Sequence, residues 1–175
     1  MNSFLLHWAV FIFMAGLLLS LPLGAVYYLK NKQLKDFFTN PRKLKAAHLD
    51  YIMQSFSIGL VVVLEITMNI KLPLFMVVPL AFGTFCNPFI FLLEATPLYQ
   101  AGVSKIIYRI LKGLSPASLF FAWFAIMFTY LPAYISWLLL GFVVILVFAF
   151  TINKQCIKQI KFLPEKRKYT HRIEK

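Results

Sequence analysis

Long apolar blocks separated by short basic stretches set the plan of this chain. The first block, Leu5–Tyr28, reaches the roughly 20 residues that a helix needs to cross a bilayer. His7 and Trp8 lie at its start and Tyr27 and Tyr28 at its end, where aromatic side chains favour the two interfaces. Leu21-Pro22-Leu23-Gly24 predicts a kink that neighbouring helices can accommodate. A polar loop follows, from Lys30 to about Lys45. Thr39-Asn40-Pro41 within it reads as a turn or a helix start, because proline disfavours the α conformation in the residue before it. Span two is expected over Ala46–Met68 and span three over Leu72–Leu93. The link between them, Asn69-Ile70-Lys71, is so short that the two helices must be antiparallel neighbours. Span three carries Pro73, Pro79 and Pro88, and Glu94-Ala95-Thr96-Pro97 closes it.

The second half is less regular. Leu98–Ser115 mixes Lys105, Arg109 and Lys112 with Ile106, Ile107, Ile110 and Leu111, which predicts a short amphipathic helix lying at the interface. The apolar block Ala117–Ile152 is longer than one crossing at ~1.5 Å per residue and too short for two ordinary ones. It reads as a single long fourth span, bent at Pro132. Beyond it Ile152, Cys156, Ile160 and Leu163 share a face opposite Lys154, Lys158 and Lys161, so the helix is expected to continue amphipathically to Pro164. A disordered tail, Lys166–Lys175, carries His171. The expected fold is all-α: a polytopic bundle of four transmembrane helices over residues 1–163, with a basic C-terminal tail over 164–175.

Composition agrees with a membrane protein of one domain. The chain is 61% hydrophobic and 14% charged, with mean hydropathy +0.77, more apolar surface than a soluble domain of this size could hide. Met1-Asn2-Ser3 lacks a basic n-region and the apolar run is long, so no cleaved signal is expected. The net charge of +12 comes from clusters: six Lys and Arg in Lys30–Lys45, three in Lys105–Lys112, eight in Lys154–Lys175, and Lys71 alone. Such clusters mark the water-exposed ends of membrane helices, where they meet anionic headgroups. No nucleic-acid-binding motif accompanies them, so nucleic acid is not an expected partner. With four spans, nine Lys and Arg fall on each side, and the positive-inside rule leaves orientation open. Cys86 and Cys156 show neither disulfide nor metal-ligand spacing, and Cys86 reads as a buried apolar residue.

Polar groups inside spans are costly and are therefore candidates for function. In span two, Asp50, Gln54, Ser57 and Glu65 fall on one stripe, with Val61 between them. His48, at the mouth of that span, lies on a different face, nearly opposite Gln54. Two such faces cannot serve one pocket in a simple monomer, but they suit two pockets at subunit interfaces. A neutral imidazole can ligate a metal or haem iron, or it can cap a helix at headgroup level. Gly83 and Asn87 share a face of span three with Glu94. Gly83 lets another helix or a flat cofactor approach closely, and Asn87 can bond a ligand or a neighbouring helix. Asp50 sits in a first turn where negative charge is favoured anyway, and Glu65 and Glu94 lie near span ends, within reach of water or headgroups. No phosphate-binding loop, nucleophile elbow, HExxH or paired-cysteine metal motif is present.

Three short runs carry a resemblance. Asn40-Pro41-Arg42 followed by Ala47-His48-Leu49 resembles the start of the second helix in styrene oxide isomerases and hydroxylaminobenzene mutases. Gly83-Thr84-Phe85-Cys86-Asn87 is similar to a mutase pattern, and Pro132-Ala133-Tyr134 to a run in the isomerases. These are small four-helix membrane enzymes. The resemblance implies a haem b held between subunits of a homotrimer, with His48 as axial ligand to the iron. It also implies a small apolar epoxide- or hydroxylamine-type substrate, rearranged by Lewis-acid ferric iron with no net redox change. Gln54 and Asn87 would orient that substrate, Gly83 would lie against the cofactor, and Asp50 could orient a histidine of an adjacent chain. The chain departs from the isomerases at Gln54, where they have asparagine, at Phe91, where they have tyrosine, and at Gly83, where they have aspartate. The expectation is a multi-pass protein of the bacterial cytoplasmic membrane. Two other readings stay open: a haem-binding sensor or electron-transfer protein without isomerase activity, and a cofactor-free transporter or structural subunit.

Overall fold

The computed structural model describes residues 3–100 and 102–162. The chain is an all-α membrane bundle, with four helices long and apolar enough to cross a bilayer among the described residues. They are α1 (Ser3–Tyr27), α3 (Pro41–Thr67), α4 (Leu74–Ala95) and α5 (Gly102–Tyr130); a short α2 (Lys32–Phe37) precedes α3, and α6 (Ala133–Phe162) follows α5. The chain divides into two units, Met1–Ile126 and Met127–Lys175. The expected tail over 164–175 with His171, the helix end near Pro164, and the side-chain faces at Cys156, Ile160 and Lys158 lie outside the described residues.

Local chemistry explains the helix boundaries. Lys30 takes a left-handed φ of 48° just past α1, and the amide of Asn31 donates to the Ala25 carbonyl at 3.2 Å, a helix-ending pattern that satisfies a last carbonyl. Asn31 then caps α2 through its side chain, which accepts from Leu34 N at 3.2 Å. The polar loop therefore contains a helix, which its run of lysines masks in the sequence. Asn40 caps α3 in the same way, accepting from Lys43 N, and Pro41 stands in the first turn, where its missing N–H costs nothing. Span two thus begins at Pro41 rather than at Ala46, and Arg42, Lys43 and Lys45 belong to the helix.

The link between α3 and α4 is as tight as expected. Asn69 is left-handed (φ 51°), and Ile70 N donates to the Glu65 carbonyl at 3.0 Å. The Glu65 side chain is 1% exposed and accepts from Leu72 N at 2.8 Å. It does not reach water or headgroups; it satisfies a backbone donor where α4 begins, and in a membrane such donors have no solvent to fall back on.

The second half departs from expectation. Leu98–Ser115 is not a separate interfacial helix. Pro97–Gln100 forms a 3-10 turn, and α5 then runs unbroken through Pro116 to Tyr130. The apolar block Ala117–Ile152 is not one helix, because the chain breaks at Leu131-Pro132. Leu131 N closes the last bond of α5 on the Met127 carbonyl at 3.1 Å, and the Pro132 carbonyl accepts from Ile135 N at 3.0 Å to start α6. A proline sits without cost ahead of a first turn. Pro22, Pro79, Pro88 and Pro116 remain inside helices, as neighbouring helices permit.

In the first unit α3 packs against both α1 and α4. Trp8 Nε1 donates to the Ala81 carbonyl at 3.2 Å and Ser55 Oγ to the Ala9 carbonyl at 2.8 Å, the polar contacts by which membrane helices hold one another. Leu5, Ile12, Ile58 and Leu80 are fully buried between them. Helix α5 closes on α4 at Gly83, where an added Cβ would come within 2.8 Å of Leu119 Cβ and 3.1 Å of its backbone. Gly83→Ala should therefore destabilise the protein by about 1–3 kcal/mol, the usual cost of overpacking. Gly59→Ala, which meets nothing within 4 Å, should be neutral or stabilising by up to about 1 kcal/mol. Thermal unfolding in mild detergent checks both.

Candidate functional site

His48 is half-buried on α3, between the buried residues Ala47 and Tyr51. Its Nδ1 lies 2.8 Å from the carbonyl oxygen of Gly16 on α1. The two helices come this close because Gly16 has no side chain: a Cβ there would sit 3.1 Å from Ile52 Cγ1 and 3.2 Å from Tyr51 Cβ. A carbonyl can only accept, so Nδ1 carries the proton and donates, an assignment that follows from the partner. In the neutral ring Nε2 then keeps its lone pair, and it makes no hydrogen bond among the described residues. A backbone carbonyl holding Nδ1–H is how proteins fix the tautomer and ring orientation of a ligating histidine.

Asp50 and Gln54 form a pair one turn apart, with Gln54 Nε2 donating to Asp50 Oδ1 at 3.2 Å. Gln54 is buried, and Asp50 Oδ2 is buried without a hydrogen-bond partner. Ser57 turns instead to its own helix, donating to the Met53 carbonyl at 3.0 Å. The pair shares no hydrogen bond with His48, in keeping with the opposed faces read from the sequence. On α4, Asn87 is half-buried and its side chain forms no hydrogen bond among the described residues. The Glu65–Leu72 bond sets the antiparallel register, and Asp50 and Asn87 each lie fifteen residues from it. They stand at one depth, about 22 Å along each helix. Gln54 and Gly83, eleven residues away, share another.

Gly83 and Phe91 both make contacts within the fold. The close approach at Gly83 is used by a helix: Leu119 fills the space above it, and Ser115 Oγ donates to its carbonyl at 3.3 Å. Phe91 presents its ring to the Lys43 ammonium, 5.0 Å from the ring centroid, a cation–π contact.

Lys43 leads to a cluster the sequence reading missed. Glu94 pairs with Lys43 Nζ at 2.5 Å through Oε2, while Oε1 accepts from the Tyr108 hydroxyl at 2.5 Å and lies 3.9 Å from Lys112 Nζ. Lys112 also donates to the Tyr108 hydroxyl at 3.1 Å. Residues from α3, α4 and α5 thus meet on one carboxylate. The available signal was charge complementarity, since Glu94 is an acid placed at the end of the bundle that holds Lys30–Lys45 and Lys105–Lys112. Among the described residues no group of three or more His, Cys, Asp or Glu side chains is gathered to hold a metal ion.

Set against family models, curated proteins and solved structures, the chain finds no match.

The Glu94 cluster should act as a clamp. In a double-mutant cycle of Lys43→Met and Glu94→Gln, thermal stability in detergent should show a coupling of about 1 kcal/mol, the upper range for a partly exposed ion pair. The coupling should shrink as salt is raised.

Proposed function

We propose that this chain is a haem-b-binding membrane enzyme of the styrene oxide isomerase and hydroxylaminobenzene mutase type, rearranging a small apolar substrate that reaches it through the bilayer. The observation that carries this reading is the His48–Gly16 hydrogen bond, which fixes the imidazole with Nε2 free. A bare metal ion would need several protein ligands, whereas the macrocycle supplies most of those of haem iron and one imidazole completes the protein's part. His48 fits that need. A bound ferric haem supplies a Lewis acid, so no net redox change is required of the substrate.

The chain's own residues then have distinct tasks. The Gly16 carbonyl holds His48 in orientation. Asp50 anchors the amide of Gln54, and with Asn87 at the same depth it forms the polar lining available to a substrate within the apolar helices. His48 and the Asp50–Gln54 pair lie on different faces of α3, so a second copy completes each site, and a homotrimer is the assembly proposed. In the first unit, nine Lys and Arg lie at the end formed by α2 and the start of α3 and of α5, against Lys71 at the other. Counted over these loops alone, the positive-inside rule favours that basic end as the cytoplasmic one in a bacterial cytoplasmic membrane, with the eight Lys and Arg of Lys154–Lys175 outside that count.

One observation favours a second reading, a haem-binding sensor or electron-transfer protein without isomerase chemistry. Phe91 has no hydroxyl and is engaged by Lys43, and Gly83 is covered by Leu119. Neither offers a donor to a developing oxyanion, and one such donor can be worth ~3 kcal/mol.

The test is an absorption spectrum of the protein purified in mild detergent. A strong Soret band is expected in the wild type and should be lost in His48→Ala. A wild type that stays colourless after haemin is added would overturn the reading. With haem bound, conversion of an epoxide or an arylhydroxylamine supports the isomerase; haem without conversion, but with reversible reduction, supports the second reading.

A further inference from the structure

A groove opens one helical turn from the His48–Gly16 contact, at Ser20 on α1 and Lys45 on α3. From Gly16, α1 continues through Ser20, Leu23, Gly24 and Tyr27 on one broad stripe. From His48, α3 leads back to Lys45 within one turn. Ser20, Leu23, Gly24, Tyr27, Tyr28 and Lys45 line a groove of about 400 Å³. The helices touch at Gly16, whereas a Cβ added at Gly24 would meet nothing within 4 Å, so this face of α1 is open beside the groove. The floor is fixed, because Leu23 packs on the buried cluster of Val26, Phe38, Leu44 and Ala95. At the mouth stand exposed Lys45, Tyr27 and Tyr28. The Lys45 ammonium makes no ion pair among the described residues, in contrast to Lys43 one turn-edge away, which is committed to Glu94.

An apolar slot with a free cation at its mouth, beginning one turn from a free imidazole nitrogen, complements a flat apolar group that carries acids along one edge. We infer that this groove receives the propionate-bearing edge of haem, with Lys45 as the propionate partner. The inference rests on the haem reading above and adds to it where the group lies and which side chain answers its charge. Charge complementarity supports this occupant: an acid edge in the groove would meet the Lys45 ammonium at its mouth, and charge-assisted hydrogen bonds to a carboxylate are among the stronger polar contacts.

Haemin titrations of haem-free protein, followed by Soret absorbance, test it. Lys45→Met should weaken haemin binding roughly tenfold. Haemin dimethyl ester, which lacks the acid groups, should bind wild type and Lys45→Met equally. Gly24→Leu fills the slot from an unpacked position, so it should weaken both probes while leaving thermal stability unchanged. If Lys45→Met and Gly24→Leu both bind haemin as the wild type does, while His48→Ala does not, the groove assignment falls and the haem reading stands. Native mass spectrometry showing an anionic phospholipid held by the haem-loaded wild type and lost in Lys45→Met would likewise overturn it in favour of a lipid. Absence of any Soret band in the wild type removes both.

Discussion

The crossing of α1 over α3 at Gly16 is the contact on which the rest of the site depends. Two consequences follow from one missing side chain. The helices approach until Ile52 and Tyr51 stand within 3.1 and 3.2 Å of where a Cβ would be. That approach exposes the Gly16 carbonyl to His48 Nδ1 at 2.8 Å, a bond that orients the ring and turns Nε2 away from it. One turn beyond the contact begins the groove lined by Ser20 and Lys45. A larger residue at this position would separate the helices, lose the imidazole's orientation and close off none of the polar groups behind it.

Within a bilayer every polar group must find its partner in the protein, and most here do. Trp8, Ser55, Thr84 and Glu65 each bond a backbone group of their own or a neighbouring helix. Glu94, on α4, gathers partners from α3 and α5. Against that background the exceptions carry information. His48 Nε2, Asp50 Oδ2, the Asn87 amide and the Lys45 ammonium are left without hydrogen-bond or ion-pair partners among the described residues. A structural polar residue in a membrane is expected to be satisfied within the fold, so groups left over at interior or groove positions are those free to meet a ligand or a second copy.

Much of this was legible from the sequence, for reasons specific to each element. Spans one to three are long apolar runs, so their presence is plain, although the first turns of α3, from Pro41, hide in the basic stretch before Ala46. The Asn69-Ile70-Lys71 link forces an antiparallel pair whatever else happens. The last third was harder because proline is ambiguous in a membrane helix. Pro116 is carried inside α5 and Pro132 ends it, and nothing in the residues alone separates the two outcomes. The separation of His48 from Gln54 follows from helical periodicity. The His48–Gly16 bond does not, since it joins residues of different helices and needs the crossing point. Phe91 under Lys43 and Leu119 over Gly83 were hidden for the same reason: each is a contact between elements whose relative register no local pattern records.

The polar groups left over are divided by α3 itself. His48 turns to α1, while the Asp50–Gln54 pair lies on another face, at the depths of Asn87 and Gly83 on α4. Around α3 His48 stands about 160° from Asp50 and about 120° from Gln54, so the two sets open on different faces of the helix. If both sets act on one substrate, one copy must present its His48 face to the other face of a neighbour. That is a heterologous contact, and repeated around an axis it closes into a ring. The first unit leaves many apolar residues exposed on α1 and α3, among them Met14, Leu18, Met53, Phe56 and Leu60, as helices facing lipid do. A ring of copies would cover part of that surface and bring an imidazole from one helix to the amide and carboxylate of the next.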